Sequence, residues 1–225
     1  MYAMTDSLTR RFLRAAKVAR TRRQTRKVRR LLNQGANVNS QNAYGITALM
    51  YACVQSNFRL IKHLIEYGAR INTKDSYGNS ALMLAAMNGH QPIVGYLIRR
   101  GARIHARDDN GNTPLIIASM YGDLNTVRYL IKQGSHLHST NNNGDTALTA
   151  TIDEDIAEYL ATVIVQRKRK SLNARRITRR KTSRIRSLFR LHESNNPSLP
   201  SDTIRYILSY LHTCKSDIII LVKAI

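Results

Sequence analysis

Tryptophan is absent from this sequence, aromatic residues make up only 6% of it, and there are two cysteines. Scarce aromatics mean that a core must come from many small interlocking contacts rather than a few large anchors. Cys53 and Cys214 are too few for a disulfide framework or a cysteine-based metal set. So few cysteines fit a reducing compartment, and the expected location is intracellular: cytoplasmic, nuclear or both. Long apolar runs are missing as well. The run "DIIILV" near the end falls far short of the roughly 18 residues a membrane span needs, so none is expected. The opening "MYAMTDSLTRRFLRAAKVAR" has no apolar stretch of the secretory kind; its arginines and near-lack of acids imitate a mitochondrial transit peptide.

Acids are the other shortage: 14 Asp and Glu face 36 Lys and Arg, a formal charge of +22. The imbalance is confined to the ends. Residues 1–30 carry 11 Lys/Arg and one acid, residues 31–166 carry ten of each, and residues 167–225 carry 15 basic groups and three acids. A neutral middle between basic flanks implies that flanks and middle do different jobs, and basic flanks fit a non-specific contact with nucleic acid or an anionic surface.

What the middle does contain is a period. Gly45, Gly78, Gly111 and Gly144 stand 33 residues apart, and so do Gly35, Gly68, Gly101 and Gly134. Leu49, Leu82, Leu115 and Leu148 recur in phase, as do Ala52, Ala85 and Ala118. Each unit reads as a tip turn around a glycine, then two helices. Thr47, Ser80, Thr113 and Thr146 are placed to N-cap the first helix, and Pro114 suits a first turn. Small alanines let the helices approach closely. Ile61, Leu64 and Ile65, with their counterparts Val94, Leu97, Ile98 and Val127, Leu130, Ile131, give the second helix one apolar face. Gly68, Gly101 and Gly134 end it as left-handed caps. No unit can bury its face alone, so neighbours must stack. At the front, "TRKVRRLLNQGANVNS" keeps the phase through Val28, Leu31, Leu32, Gly35 and Ala36, and "LTRRFLRAAKVA" supplies a preceding helix.

These units resemble the ankyrin repeat family. "GNTPLIIA" and "IVGYLIRRGARI" are close to its Gly–x–Thr–Pro–Leu–His–x–Ala turn-helix and its Leu–Leu–x–x–Gly–Ala ending, and the resemblance covers about residues 11–166. The family's His is replaced by Met50, Met83, Ile116 and Thr149, and "TIDEDI" stands where the last unit would have "AxxGH", which marks an atypical end unit. The resemblance implies an all-α solenoid of stacked helix-turn-helix units with tip turns. It divides the chain into a basic capping repeat (1–39), four repeats (40–72, 73–105, 106–138 and an atypical 139–166), a basic linker or helix (167–198) and a short apolar helical tail (199–225). A cleaved transit peptide is disfavoured, because cleavage would expose the end of the stack.

The family is known for binding proteins without chemistry of its own, so the resemblance implies a non-enzymatic scaffold, a protein partner, no cofactor and a monomer. Family members meet partners at the tips and the inner surface of the first helices. The matching positions are Tyr44 and Ile46, Tyr77 and Asn79, Asn110 and Asn112, and Asn143 and Asp145; on the first helices they are Val54, Gln55, Met87, Asn88, Met120 and Tyr121. Catalytic and metal patterns are weak. His136 and His138 have no acid or cysteine spaced to complete a metal site, and His105 and His138 share one repeat position, which points to structure. "DDNGN" and "NNNGD" have calcium-loop composition but lack the Glu that such a loop requires. Asp153, Glu154, Asp155 and Glu158 lie near a helix N-terminus, where acids complement the dipole.

Two C-terminal features stand outside the array. The tract "RKRKSLNARRITRRKTSRIRSLFR" concentrates Arg167, Lys168, Arg169, Lys170, Arg175, Arg176, Arg179, Arg180 and Lys181. It fits a bipartite nuclear import signal, a salt-dependent contact with nucleic acid or an anionic membrane surface, or a solvated helix. Beyond it, "LPSDTIRYILSYL" sets Ile204, Ile207, Leu208 and Leu211 on one helical stripe, followed by "DIIILVKAI". This tail resembles the start of an F-box, and most of all the F-box-like PRANC domain that ends ankyrin proteins of poxviruses and some intracellular bacteria; a SOCS box is a weaker fit. The resemblance implies a Skp-type adaptor of a cullin–RING ubiquitin ligase as partner, contacted through Leu199, Pro200, Ile204, Ile207, Leu208 and Leu211. A helical cap folded on the last repeat is the alternative.

Overall fold

The computed structural model describes residues 2–193 apart from residue 122, with side chains over residues 7–175. Among the described residues there are ten α-helices and no strand: α1 Tyr2–Lys17, α2 Arg22–Asn33, α3 Ala48–Val54, α4 Phe58–Glu66, α5 Ala81–Met87, α6 Gln91–Arg99, α7 Pro114–Met120, α8 Leu124–Lys132, α9 Ala147–Ala150 and α10 Glu154–Glu193. Helices pair in sequence order, α1 with α2 through α7 with α8. The first helices α1, α3, α5, α7 and α9 stack in one row, and second helices lie beside them, α2 by α4 and α6 by α8. The architecture is an all-α solenoid. The chain divides into two compact units between Ile164 and Val165, within α10.

The first helices of the central repeats are seven residues long, too short to stand alone in water. Their ends are tied instead. Thr47 accepts from the Met50 amide, Ser80 from Met83, Thr113 from Ile116 and Thr146 from Thr149. Where methionine replaces the family's histidine, its sulfur closes the capping box: the Thr47 and Ser80 amides each donate to Sδ of Met50 and Met83 at 3.4 Å. In the last repeat the Thr149 hydroxyl accepts from the Thr146 amide at 2.8 Å, whereas Ile116 has no polar atom to offer. Second helices end at glycine. The Ala69 amide donates to Leu64 C=O at 2.9 Å and the Gly68 amide to Ile65 C=O at 3.0 Å, the paired bonds of a left-handed cap, with Gly68 at φ +84°.

The core is built from the residues that the period selects. Leu49, Leu82 and Leu115, with Ala52, Ala85 and Ala118, are buried in the first-helix row; Ile61, Leu64, Val94, Leu97, Val127 and Leu130 fill the second. Gly95 lets two second helices meet: a Cβ there would sit 2.9 Å from the Tyr129 hydroxyl of the next repeat. At the front, Phe12, Ala16 and Ala19 of the α1 segment pack against Val28 and Leu31 of α2. Asn57 ties this pair to α4, capping the Leu60 amide at 3.0 Å and donating to Thr25 Oγ1 at 3.2 Å. At the other end the first helix shrinks to the four residues of α9. Asp153 then caps α10 through the Ile156 amide at 2.9 Å, and Ile156 and Leu160 close the core.

Side-chain clamps join one repeat to the next. Asn39 donates to Gly68 C=O at 3.2 Å and accepts from the Arg70 amide at 2.7 Å. Asn72, 33 residues on, does the same with Gly101 at 3.0 Å and Arg103 at 2.9 Å. The third member of the series is His105, which stacks on His136 instead, ring centroids 3.9 Å apart and planes 19° off parallel. Partial desolvation first, and the charge of His136 second, lower the His105 pKa from its ordinary 6.5. The unfolded chain therefore binds the proton more readily than the folded one, so this joint weakens as pH falls below that ordinary value. Going from pH 7.5 to 5.5 should lower the melting temperature of the wild type more than that of His105→Asn, which restores the clamp chemistry. The difference should be small, because solvent screens a largely exposed ring. Equal pH slopes in a thermal melt would remove the effect.

Candidate functional site

Each tip is held by an Asn or Asp three residues ahead of its glycine. Asn42 Oδ1 accepts from the Tyr44 and Ile46 amides, both at 2.9 Å. Asp75 Oδ1 accepts from Tyr77 at 2.9 Å and Asn79 at 2.8 Å, Asp108 Oδ1 from Asn112 at 2.7 Å, and Asn141 Oδ1 from Asn143 at 3.0 Å and Asp145 at 2.8 Å. These four were not singled out from the sequence, although their own 33-residue spacing carried the signal. Neighbouring tips then bond through the backbone: Ser76 N–H to Tyr44 C=O at 3.0 Å, Asp109 to Tyr77 at 3.1 Å, and Asn142 to Asn110 at 2.9 Å. The result is a row of turns in register, each fixed from inside its own loop and from the next repeat.

On this frame the expected contact residues separate into three groups. Tyr44 and Tyr77 at the tips are 61% and 65% exposed. Val54, Met120 and Tyr121 at the ends of first helices are exposed, as are Asn88 and Asn110. Ile46, Gln55, Asn79 and Met87 are half-buried. Ile46 packs on the core, Gln55 donates its amide to Lys17 C=O, and Asn79 is bonded to Asp75. Asn112 is buried; its amide donates to Asp108 Oδ2 and its Oδ1 accepts from Asn141, both at 3.0 Å. It joins two tips and faces no solvent, a role that its composition class alone does not reveal.

The open part of this surface combines apolar side chains with the amides of Asn88 and Asn110. Half of the ten exposed large hydrophobics among the described residues lie on this strip. Tyr, Met and Val beside uncharged amides offer adaptable contact area without a charge to desolvate. Behind it, Cys53 is fully buried and burial pushes its thiol far up, so it holds no reactive thiolate. Among the described residues no group of three His, Cys, Asp or Glu is placed to hold a metal ion, and no helix is long and apolar enough to cross a membrane.

On α10, Arg167, Lys168, Arg169, Lys170 and Arg175 are exposed. The side chains of Arg176, Arg179, Arg180 and Lys181 lie outside the described residues, as does the whole tail with Leu199, Pro200, Ile204, Ile207, Leu208 and Leu211.

No curated protein was found to match this chain. Two overlapping stretches, residues 13–108 and 97–170, match the family described as ankyrin repeats (3 copies). With phased tips, capped helix pairs and a match over well more than half of its length, the chain belongs to the ankyrin repeat family.

Proposed function

We propose that the array is a non-enzymatic scaffold that binds another protein across the tips and the ends of its first helices. The carrying observation is the set of exposed side chains Tyr44, Tyr77, Val54, Met120 and Tyr121: the two tyrosines hold one tip position in adjacent repeats, Val54 and Met120 hold one first-helix position two repeats apart, and Tyr121 stands where the other repeats have Gln55 and Asn88. Large apolar side chains gathered at the tips and first-helix ends mark an interaction surface, whereas singly scattered ones call for no explanation. Affinity capture with the full chain, beside a chain ending at residue 166, tests the assignment. A partner that binds the strip is retained by both; a partner retained by the full chain alone belongs to the tail.

The tail supports a second reading on its own residues. The Leu199–Pro200 start and the stripe Ile204, Ile207, Leu208 and Leu211 fit an F-box-like handle for a Skp-type adaptor. Under it, the adaptor co-purifies with the wild type and is lost from Leu199→Asp plus Leu208→Asp. The exposed cations Arg167, Lys168, Arg169 and Lys170 fit a salt-dependent contact with an anionic surface, or a nuclear import signal.

A further inference from the structure

The basic residues of the N-terminal helix pair are distributed by the packing. In α2, Thr25, Val28, Leu31 and Leu32 are buried, and Arg22, Arg23, Arg26, Lys27, Arg29 and Arg30 are all exposed. At 100° per residue those six cover an arc of about 160°, opposite the buried stripe. In α1, Arg11, Arg14 and Lys17 are exposed between the buried Phe12, Leu13, Ala15 and Ala16. Between Asp6 and Glu66 the chain has no acidic residue and 13 Lys/Arg. Among the described residues, no ion pair joins any of the six α2 cations to a carboxylate.

A capping repeat needs a polar outer face, and mixed charge would supply one, as the neutral middle of this chain does. Like charges at i and i+4, as in Arg22–Arg26 and Arg26–Arg30, oppose helix formation instead. The cost is recovered when a dense polyanion binds. We infer that the α1–α2 face docks double-helical DNA through its phosphates, without sequence preference. It does not depend on the protein-binding strip or on the C-terminal tract.

Four features select this partner. The exposed arc of α2 has no apolar residue to insert into lipid or to seat in a peptide pocket, and Val18, directly after α1, is the one exposed large apolar side chain over residues 7–33, so the affinity is ionic in the main. Ionic binding is strong for a ligand that releases condensed counterions, as a nucleic acid does. Six cations over a helix about 18 Å long give one per roughly 3 Å, against one phosphate per roughly 3.4 Å of a DNA strand. Five of the six are arginine, whose fork matches phosphate oxygens in pairs. The width of an α-helix fits the major groove of B-form DNA, whereas that of A-form RNA is too narrow.

The test is fluorescence anisotropy of the full chain with a labelled 20-base-pair DNA duplex, the RNA duplex of the same sequence, and phosphatidylserine-containing vesicles, across a salt series. The variants are Arg26→Gln/Lys27→Gln/Arg30→Gln, the charge-preserving Arg26→Lys/Arg30→Lys, and one with residues 167–170 changed to Gln. The DNA duplex should bind the wild type. The triple α2 variant should bind at least about tenfold more weakly at 100 mM salt, with the log–log salt slope reduced by about three. The lysine variant should keep the wild-type slope, and the α2-dependent loss should persist when residues 167–170 are neutralised. The proposal is overturned if the triple variant matches the wild type in affinity and slope. It is also overturned if only vesicles, or only the RNA duplex, depend on α2. Were the triple variant to unfold, a loss of slope in the folded lysine variant would equally overturn it.

Discussion

Replacing Leu97 with alanine should destabilise the array by about 2–5 kcal/mol, read as a shift of the urea midpoint at unchanged slope. Leu97 has no exposed surface and lies on the inner face of α6, packed into the core that runs from repeat to repeat. The alanine leaves a cavity that α6, closed by the cap at Gly101 and packed between neighbouring repeats, cannot collapse to fill. Because each repeat is stabilised by its neighbours, the loss is felt beyond α6. Domains of this kind have only about 5–15 kcal/mol in hand, so one such cavity is a large part of the whole. Met120→Ala, on the exposed strip of α7, should stay within about 0.5 kcal/mol of wild type. If Leu97→Ala were as mild as Met120→Ala, the division between buried core and exposed strip would be wrong.

Gly78→Ala should cost more than Gly101→Ala, though both glycines have positive φ, +76° and +91°. At Gly101 a new methyl group meets nothing within 4 Å, so the penalty is the left-handed backbone alone, about 1–2 kcal/mol. At Gly78 the Cβ would stand 2.7 Å from the Asp109 amide nitrogen and 3.0 Å from the Asp108 carbonyl carbon. Those are backbone atoms of the next tip and cannot rotate away. Relief requires moving one tip from the other, which breaks the Asp109 N–H to Tyr77 C=O bond at 3.1 Å. A further overpacking cost of about 1–3 kcal/mol is expected. Paired thermal melts decide the matter, and equal losses for the two substitutions would show that the tips are not held in contact.

These glycines also show why so much of the fold was legible in the sequence. A left-handed turn admits few residues, so each turn of the solenoid leaves a glycine at a fixed interval; all eight glycines of the two phased sets have positive φ. Capping is nearly as legible, because Thr47, Ser80, Thr113 and Thr146 stand just ahead of apolar helices and each makes the bond expected of it. The exposed strip was harder to read. Period places Asn79, Asn110 and Asn112 alike at tips, but only the next repeat decides that Asn112, bonded to Asp108 within its own tip, is also taken up by Asn141, while Asn110 is open to solvent. The same holds for Gln55, whose amide reaches Lys17 across 38 residues of sequence. Which polar side chain is consumed internally depends on long-range geometry that single-sequence spacing does not encode. His105 is a third case: its repeat position identified a structural residue, but the stacked partner His136 comes from the following repeat.

The scaffold reading depends on the exposed strip rather than on the stability of the array, and the two separate experimentally. The deciding measurement is quantitative capture of the partner by the full chain, beside a variant carrying Tyr44→Ser, Tyr77→Ser and Tyr121→Ser. These side chains are 61%, 65% and 60% exposed, so the melting temperature should hardly move. Removing aromatic anchors from the centre of an interface should weaken binding by about 2 kcal/mol or more, roughly thirtyfold. Loss of the partner at an unchanged melting temperature is the predicted result. Undiminished capture by the triple variant would contradict the account and place the interaction elsewhere on the chain.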